Sequence, residues 1–210
     1  MAPTLPTAPF VYPLIDTGVC VARGHDPVTV ARAYLGGGAR VLQLRCKQES
    51  SRDFLALAER LVRLTDESKA LLIVNDRVDI AALSGAAGVH VGQDDLPIDA
   101  VHVVVGGDVI TGVSTHDEAQ VDRALQGPAT YIAVGPIFGT ATKHTGYDAR
   151  GLSLVRYASG RGKPVVAIGG ITHDRAASVV AAGAAGLAVI TDLLAADPEA
   201  QTRRFIAAIS

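Results

Sequence analysis

The sequence has only two cysteines, and neither has a spacing that suits a metal site or a disulfide framework. Cys20 and Cys46 lie far apart, and the chain contains no C-x-x-C motif. A zinc site and a disulfide-stapled fold are therefore not expected. We expect both residues to be reduced thiols in a cytoplasmic protein.

The chain also lacks an excess of either charge and any long apolar run. Lys and Arg total 19 against 21 Asp and Glu, so the net charge of -2 gives no long-range attraction for nucleic acid or an anionic membrane. Every apolar run is far shorter than the ~20 residues that a membrane span needs. We expect a soluble protein with small-molecule partners, possible homo-oligomers, and any anion bound by a local cluster of side chains.

The N-terminal residues 1–10, MAPTLPTAPF, contain three prolines and have no basic cluster or signal-length apolar core. We interpret them as a disordered lead-in. Hydrophobic residues make up 49% of the 210-residue chain, enough for one large core or two small ones. No Pro- or Gly-rich linker divides residues 11–210, so they are predicted to form one domain.

Short apolar runs without polar alternation recur along residues 11–210, as expected for strands that are buried on both faces of a parallel sheet. The eight predicted strands are 11–16, 40–45, 71–75, 87–91, 109–114, 130–135, 164–169 and 186–190. Between them lie segments of helical character. The predicted helices are 27–35, 52–68, 78–83, 98–105, 116–125, 153–159, 173–182 and 198–209.

This alternation of strands and helices predicts an α/β fold, a (β/α)8 TIM barrel, with a doubly wound open sheet as the competing architecture. The range 52–64 is the clearest helix, because its apolar residues fall on one face. The range 98–105 contains four valines and is placed as a helix only because the alternation requires one. Asp26 before Pro27 and Thr172 before His173 are predicted helix starts. In a barrel, catalytic residues lie at the C-terminal ends of the strands.

The second predicted strand ends in LQLRCK, where Gln43, Arg45 and Lys47 share one face. An Arg beside a Lys suits phosphate oxygens, although basic residues can also end a strand simply as a solvated rim. Gln43 lies inside the strand and needs polar partners there. These residues are candidates for an anion site.

An amide and three carboxylates follow the next two strands: Asn75 and Asp76 come after one, and Asp94 and Asp95 after the other. Carboxylates with an amide suit Mg²⁺, which shares phosphate oxygens and water as ligands. The alternative is that Asp76 or Asp95 caps the next helix. His90, within the strand, is either a ring contact or a core histidine, and taken alone it favours the core.

Three later segments add polar or glycine-rich strand ends. The loop 135–151 offers Thr140, Thr142 and Lys143 among glycines, which suggests a segment that covers a ligand. Ser114 ends the fifth strand, but no triad accompanies it, because His116 more naturally starts a helix. IGGIT (168–172) and GLAVIT (186–191) place glycines where such barrels bind a phosphate.

The series LQLRCK, IVNDRVD, GVHVGQDDLP, GVSTH, GPIFGTATK, VVAIGGI and GLAVIT resembles the thiamin phosphate synthase family in order and spacing from about residue 11 to the C-terminus. The resemblance implies that hydroxymethylpyrimidine diphosphate and hydroxyethylthiazole phosphate are joined, with Mg²⁺ and release of pyrophosphate. By motif position, the pyrimidine diphosphate would contact Gln43, Leu44, Arg45, Cys46, Lys47, Asn75, Ser114 and Lys143, with His90 beside them.

The resemblance also assigns the remaining ligands. Asp76 and Asp95 would bind Mg²⁺, and the thiazole phosphate would contact Thr140, Ala141, Thr142, Gly170, Ile190 and Thr191. Arg45, Lys47, Lys143 and Ser114 would be the catalytic set. Two departures stand out: Cys46 replaces a common Glu, and residues 144–150 match no family pattern.

Three rivals remain at this stage. A thiazole tautomerase would share the barrel and the monophosphate site but would need no diphosphate-binding Arg45 and Lys47. A sugar-phosphate enzyme would have no use for acids at two adjacent strand ends. A non-catalytic sensor would bind both substrates without releasing pyrophosphate.

Overall fold

The computed structural model describes residues 2–106, 108–139 and 147–210. Within these ranges the chain forms a closed barrel of eight parallel strands in the order β1 to β8. Strand β1 pairs with both β2 and β8, which closes the sheet. The (β/α)8 prediction is therefore confirmed and the open doubly wound sheet was the wrong alternative.

Every predicted strand is present, with ends within one residue of the predicted bounds. The strands are β1 (Phe10–Asp16), β2 (Val41–Arg45), β3 (Leu71–Asn75), β4 (Gly88–Val91), β5 (Ile110–Thr115), β6 (Tyr131–Val134), β7 (Val165–Ile168) and β8 (Gly186–Val189). Apolar, β-branched runs covered on both faces were therefore a sufficient signal.

The predicted helices are also confirmed, with ends that differ by at most two residues. The described helices are α1 (Thr17–Ala22), α2 (Pro27–Gly36), α3 (Ser51–Glu67), α4 (Val78–Ser84), α5 (Ile98–Val105), α6 (Glu118–Gln126), α7 (Gly151–Ala158), α8 (His173–Ala181) and α9 (Pro198–Ile209). The valine-rich α5 is helical because a parallel barrel needs a crossover between β4 and β5.

Helix α1 was missed because its sequence, TGVCVA, is short and rich in β-branched residues. It forms because the Asp16 carboxylate, at the end of β1, accepts a hydrogen bond from the Val19 N–H at 3.0 Å. Helix α2 begins as predicted, with Asp26 accepting from the Thr29 N–H at 2.8 Å. Helix α8 also begins as predicted, at His173 directly after Thr172, although the Thr172 side chain makes no capping bond. One predicted helix start was wrong, because α6 begins after Asp117 rather than at His116.

The core has two layers, which follow from the alternation of side chains along each strand. One layer lies between the strands and the helices and contains residues such as Leu42, Leu44 and Cys46. The other fills the barrel interior and contains residues such as Tyr12 and Tyr131. Residues 43 and 45 therefore face the interior, while 44 and 46 face the helices.

Residues 2–9 carry no helix or strand, and Leu5 among them packs against the interior layer. Strand β1 begins at Phe10, one residue before the predicted start of the barrel domain. The disordered lead-in remains a prediction. Across the ranges that the structure describes, no helix is both long and apolar enough to cross a membrane.

Candidate active site

The C-terminal ends of the strands surround a cavity that brings together residues from both predicted ligand sets. Its lining includes Gln43, Arg45, Asn75, His90, Ser114, Gly170, Ile190 and Thr191. The first five come from β2 to β5 and the last three from the ends of β7 and β8. Closure of the barrel is what places these distant segments around one opening.

Arg45 lies inside the rim and forms an ion pair with Asp16, at the end of the neighbouring strand β1. The pair is largely buried, with 14% of the Arg45 side chain and 7% of the Asp16 side chain exposed. The Arg45 Nε is buried and has no hydrogen-bond partner among the described residues. Asp16 holds one edge of the guanidinium, so Nε remains available as a donor to an anion.

Asn75 is a second buried donor on the same cavity wall. Its Nδ2 has no hydrogen-bond partner within the described part of the chain, and the residue is 4% exposed. A buried, unsatisfied amide costs free energy unless something else accepts its proton. Arg45 and Asn75 therefore mark the part of the cavity where a polar ligand is expected.

Lys47, Asp76 and Asp95 form the outer part of this rim. The Lys47 ammonium pairs with the Asp76 carboxylate. The Asp95 carboxylate accepts a hydrogen bond from the Gly92 N–H at 2.7 Å. Partial loss of contact with water, together with the Asp76 side chain beside it, raises the pKa of Asp95 above its ordinary value.

Neither acid caps a helix, so the capping alternative does not apply to them. Helices α4 and α5 begin after Arg77 and Pro97, and neither has a side-chain cap. Asp76 instead holds a left-handed backbone conformation, with φ of 63°, and its N–H donates to the His90 carbonyl at 2.7 Å. This bond ties the end of β3 to β4 and fixes the Asp76 side chain at the rim.

The deepest part of the cavity contains a line of buried polar side chains. Gln43 Nε2 donates to the Tyr12 hydroxyl at 3.0 Å, and the Tyr12 and Tyr131 hydroxyls are 3.1 Å apart. His90 Nδ1 lies 2.9 Å from the Tyr131 hydroxyl, and His90 Nε2 lies 2.9 Å from Ser114 Oγ. His90 is thus buried, as expected for a core histidine, and it also lies in the cavity wall, as expected for a residue that contacts a ligand.

The side chains of Leu44 and Cys46 lie in the layer between β2 and the helices. Any contact that these two residues make with a ligand must come from their backbone atoms. The replacement of a common Glu by Cys46 therefore changes packing behind the sheet and leaves the interior face unaltered.

The ends of β7 and β8 form the opposite wall, with Gly169 and Gly170 at positive φ. A Cβ at Gly170 would lie 2.6 Å from the Gly139 carbonyl oxygen, so this close approach requires glycine. Arg175 donates to the Gly170 carbonyl at 2.9 Å and thereby steadies the turn. The turn and the residues before α8, 169–172, line this side of the cavity, and a glycine-rich turn that leads into a helix is a common arrangement for binding a phosphate.

Asp192 supplies the cap that Thr172 was predicted to give, since its Oδ2 accepts from the His173 N–H at 2.9 Å. At the edge of the same wall, Arg23 donates to the Thr191 carbonyl at 2.9 Å. These contacts join the first and last parts of the barrel around the glycine-rich end. Thr191 itself lines the cavity as predicted.

The loop after β6 is described only at its two ends, so Thr140, Ala141, Thr142 and Lys143 lie outside the described residues. At its start, His116 Nδ1 lies 2.5 Å from the Gly135 carbonyl oxygen. At its end, the Tyr147 ring stacks on His116 with ring centroids 4.3 Å apart, and the Arg150 N–H donates to the Pro136 carbonyl at 2.7 Å. His116 therefore anchors both ends of the loop and does not start a helix.

Comparison with known proteins agrees with this arrangement. A family model described as thiamine monophosphate synthase matches residues 11–193. The chain belongs to this family. It is 46% identical over 192 residues to a thiamine-phosphate synthase from Roseiflexus sp. (strain RS-1), covering 90% of this chain and 81% of the relative. It is 42% identical over 210 residues to one from Roseiflexus castenholzii, covering 96% and 92%.

A solved thiamine phosphate pyrophosphorylase from Pyrococcus furiosus has the same fold, with a TM-score of 0.86 and 31% identity over 95% of this chain and 94% of that one. The resemblance seen in the seven motifs is thus confirmed. As a member of the thiamine monophosphate synthase family, the chain is an enzyme, a transferase that releases pyrophosphate and acts on small molecules.

Three residues of this synthase-family site were missed by sequence reasoning. Asp16 could have been found, because it is an acidic residue at the end of β1, just as Asp76 is an acidic residue directly after β3. Nothing in the sequence indicated that Tyr12 and Tyr131 belong to the site, because an aromatic residue inside an apolar strand is expected to be part of the hydrophobic core. Both are fully buried, and only the three-dimensional structure shows that their hydroxyls join the line of polar side chains.

Proposed function

We propose that this chain is a thiamin phosphate synthase, which joins hydroxymethylpyrimidine diphosphate to hydroxyethylthiazole phosphate and releases pyrophosphate. The observation that carries the proposal is the shared cavity. Two buried donors that have no partner among the described residues, Arg45 Nε and Asn75 Nδ2, line one side, and the glycine-rich ends of β7 and β8 line the other. Two anionic substrates fit such a cavity, with the diphosphate toward Arg45 and the monophosphate toward Gly170.

Magnesium fits the rim residues. Asp76 and Asp95 are close enough for their carboxyl groups to share a hydrogen bond, and this proximity helps to raise the pKa of Asp95. Such a pair of carboxylates repels itself unless a proton or a cation lies between them. Within the described ranges no group of three or more His, Cys, Asp or Glu could hold a metal. Two carboxylates are nevertheless enough for Mg²⁺, which completes its shell with water and substrate phosphate.

When bound between Asp76 and Asp95, Mg²⁺ would supply positive charge against the diphosphate oxygens. The chain's own cations act on the same oxygens. Arg45 is fixed in place by Asp16, and Lys47 can turn from Asp76 toward the diphosphate. Both stabilise the negative charge that grows on the departing pyrophosphate, as electrostatic catalysis requires. Lys143, by its place in the motif GPIFGTATK, is proposed to join them.

The proposed reaction needs no general base. The bond between the pyrimidine methylene carbon and the diphosphate oxygen breaks, and its electron pair stays with the oxygen. The lone pair of the thiazole nitrogen then forms the new carbon–nitrogen bond. The electron-rich aminopyrimidine carries the positive charge between these events. Gln43, His90 and Ser114, deep in the cavity, are proposed to hold the pyrimidine ring.

The direct test is to mix the purified protein with both substrates and Mg²⁺ and to measure thiamin phosphate and pyrophosphate together. We expect equal amounts of the two products, and loss of both when a chelator removes Mg²⁺. Undiminished turnover in chelator would remove Mg²⁺ from the proposal. Binding of both substrates without release of pyrophosphate would instead show a sensor, and isomerisation of the thiazole phosphate alone would show a tautomerase.

A further inference from the structure

The line of buried polar side chains at the bottom of the cavity is continuous from β2 to β5. It runs from Gln43 through Tyr12, Tyr131 and His90 to Ser114, with four contacts between 2.9 and 3.1 Å. All five residues line the cavity, and Tyr12 and Tyr131 also belong to the layer that fills the barrel interior. We call these five residues the interior relay.

One direction of donation places both tyrosine protons of the relay in a hydrogen bond within it. Each tyrosine hydroxyl has one proton, and burial raises the pKa of both Tyr12 and Tyr131, so both keep that proton. Because Tyr12 already accepts from Gln43, this direction runs from Tyr12 to Tyr131 and from Tyr131 to His90.

This direction fixes the protonated nitrogen of His90. A neutral imidazole has one N–H, and in this direction Nδ1 accepts from Tyr131. This leaves the proton on Nε2, from where it is donated to Ser114 Oγ. Ser114 then has its own hydroxyl proton to donate into the cavity, while the Gln43 carbonyl oxygen at the other end can accept a hydrogen bond.

The backbone makes room for the central contact of the relay. His90, Gly112 and Tyr131 are register partners on the adjacent strands β4, β5 and β6. A Cβ at Gly112 would lie 2.4 Å from the Tyr131 hydroxyl and 2.5 Å from His90 Nδ1. The bond between the two side chains thus occupies the space that a side chain at position 112 would fill.

We propose that Tyr131 is a positioning residue that holds His90 as the Nε2–H tautomer and thereby makes the Ser114 hydroxyl a donor to a ring nitrogen of the pyrimidine substrate. The proposed function already assigns Gln43 and Ser114 to the pyrimidine ring, and the two ends of the relay suit that ligand: an acceptor at Gln43 suits an exocyclic amine, and a donor at Ser114 suits a ring nitrogen. An aminopyrimidine carries both groups. This inference rests on the proposed function for the identity of the ligand, but the tautomer itself does not depend on it.

The first test is the ¹⁵N NMR spectrum of His90 in the wild-type protein, where the chemical shift separates protonated from unprotonated ring nitrogens. We expect Nε2 protonated and Nδ1 unprotonated. Tyr131→Phe should shift the proton toward Nδ1, because the phenyl ring gives Nδ1 no donor. A wild-type proton on Nδ1 would overturn the proposal whatever the activity of the protein, so this result is separate from any failure of the proposed function.

The second test is a double-mutant cycle with Ser114→Ala. Tyr131→Phe alone should lower kcat/KM for the pyrimidine diphosphate by about tenfold, the effect of losing one good hydrogen bond, and leave KM for the thiazole phosphate unchanged. If Tyr131 acts through Ser114, it should have no further effect in the Ser114→Ala background. Effects that multiply would show that the tyrosine acts by another route.

Tyr34→Phe is the matched control. Tyr34 is also fully buried, but it lies in the layer behind the strands, and its hydroxyl has no hydrogen-bond partner in the described parts of the chain. The control removes the same atom from the same kind of environment without touching the relay. It should leave the His90 tautomer and the kinetic constants unchanged, and a matching loss of kcat/KM in Tyr34→Phe would assign the effect of Tyr131 to core packing.

Discussion

Asp76 has an unfavourable backbone conformation, and this conformation places its side chain at the rim of the cavity. Its left-handed backbone is uncommon outside glycine, although Asp and Asn tolerate it better than other residues. The conformation lets its N–H reach the His90 carbonyl while its carboxylate stays at the rim beside Lys47 and Asp95. Backbone strain of this kind is concentrated at functional sites.

Asp76→Asn should separate the charge of this residue from its backbone role, because asparagine accepts the same conformation. We expect the Mg²⁺ concentration needed for half-maximal activity to rise by about tenfold or more, since even residues that only support a metal ligand have effects of that size. Kinetics at a series of Mg²⁺ concentrations measure this. The free energy of unfolding should change little.

Asp79→Asn is the control for this variant, because Asp79 lies three positions away and pairs with Arg77 on an exposed part of α4. It should leave the Mg²⁺ requirement as it is. Unchanged activity of Asp76→Asn at limiting Mg²⁺ would take Asp76 out of the metal site.

At the scale of the elements, the strands and most helices could be predicted because burial on both faces leaves a clear pattern. The pattern did not extend to α1, whose short sequence is rich in β-branched residues and whose cap, Asp16, stands directly before it. The start of α8 was predicted, but its capping bond comes from Asp192 in the β8 loop, 19 positions away, rather than from Thr172. No local signal identifies a cap from a residue so distant in sequence.

Gly112→Ala tests how tightly β4, β5 and β6 fit around the relay. The added methyl group would meet Tyr131 and His90 at less than normal contact distance, so we expect the free energy of unfolding to fall by about 2 kcal/mol, the usual effect of overpacking. Urea denaturation measures this change. We also expect His90 to lose its preference for the Nε2–H tautomer.

Gly127→Ala is the comparison, since a Cβ there would have no neighbour closer than 3.7 Å and the backbone has a negative φ. Its stability should stay within about 0.5 kcal/mol of wild type. Equal stability of the two variants would mean that β5 has room to move away from its neighbours.

At the scale of the whole molecule, the candidate site could be predicted as a set of strand ends but not as a network. Motif order placed Arg45, Asn75 and Thr191 correctly at one opening, because barrel closure is a general rule. The partners of these residues depend on which side chains meet across the interior. That information lies in the register of the strands, which the linear pattern does not contain.

The folded protein as a whole keeps its two thiols protonated. Burial raises the pKa of Cys20 to about 11 and that of Cys46 to about 12, so the folded state holds protons that the unfolded chain releases above pH 9. Stability must therefore fall as the pH rises through this range. Urea denaturation at pH 8, 9 and 10 should show the decline.

The double variant Cys20→Ala/Cys46→Ala should show a shallower decline over the same pH range. Its absolute stability can differ because of lost packing, so the slope is the quantity to compare. An identical slope would assign the decline to the buried tyrosines, whose pKa values burial also raises.

The fit of Tyr131 and His90 over Gly112 also has an evolutionary consequence. These three positions occupy neighbouring places on three strands, so a change at one is tolerated only with a compensating change at another. Homologues that acquire a side chain at the equivalent of residue 112 should have given up the large ring from β6. In such homologues the serine equivalent to Ser114 would have to be oriented by other residues. We expect these homologues to differ first in the substrates that they accept.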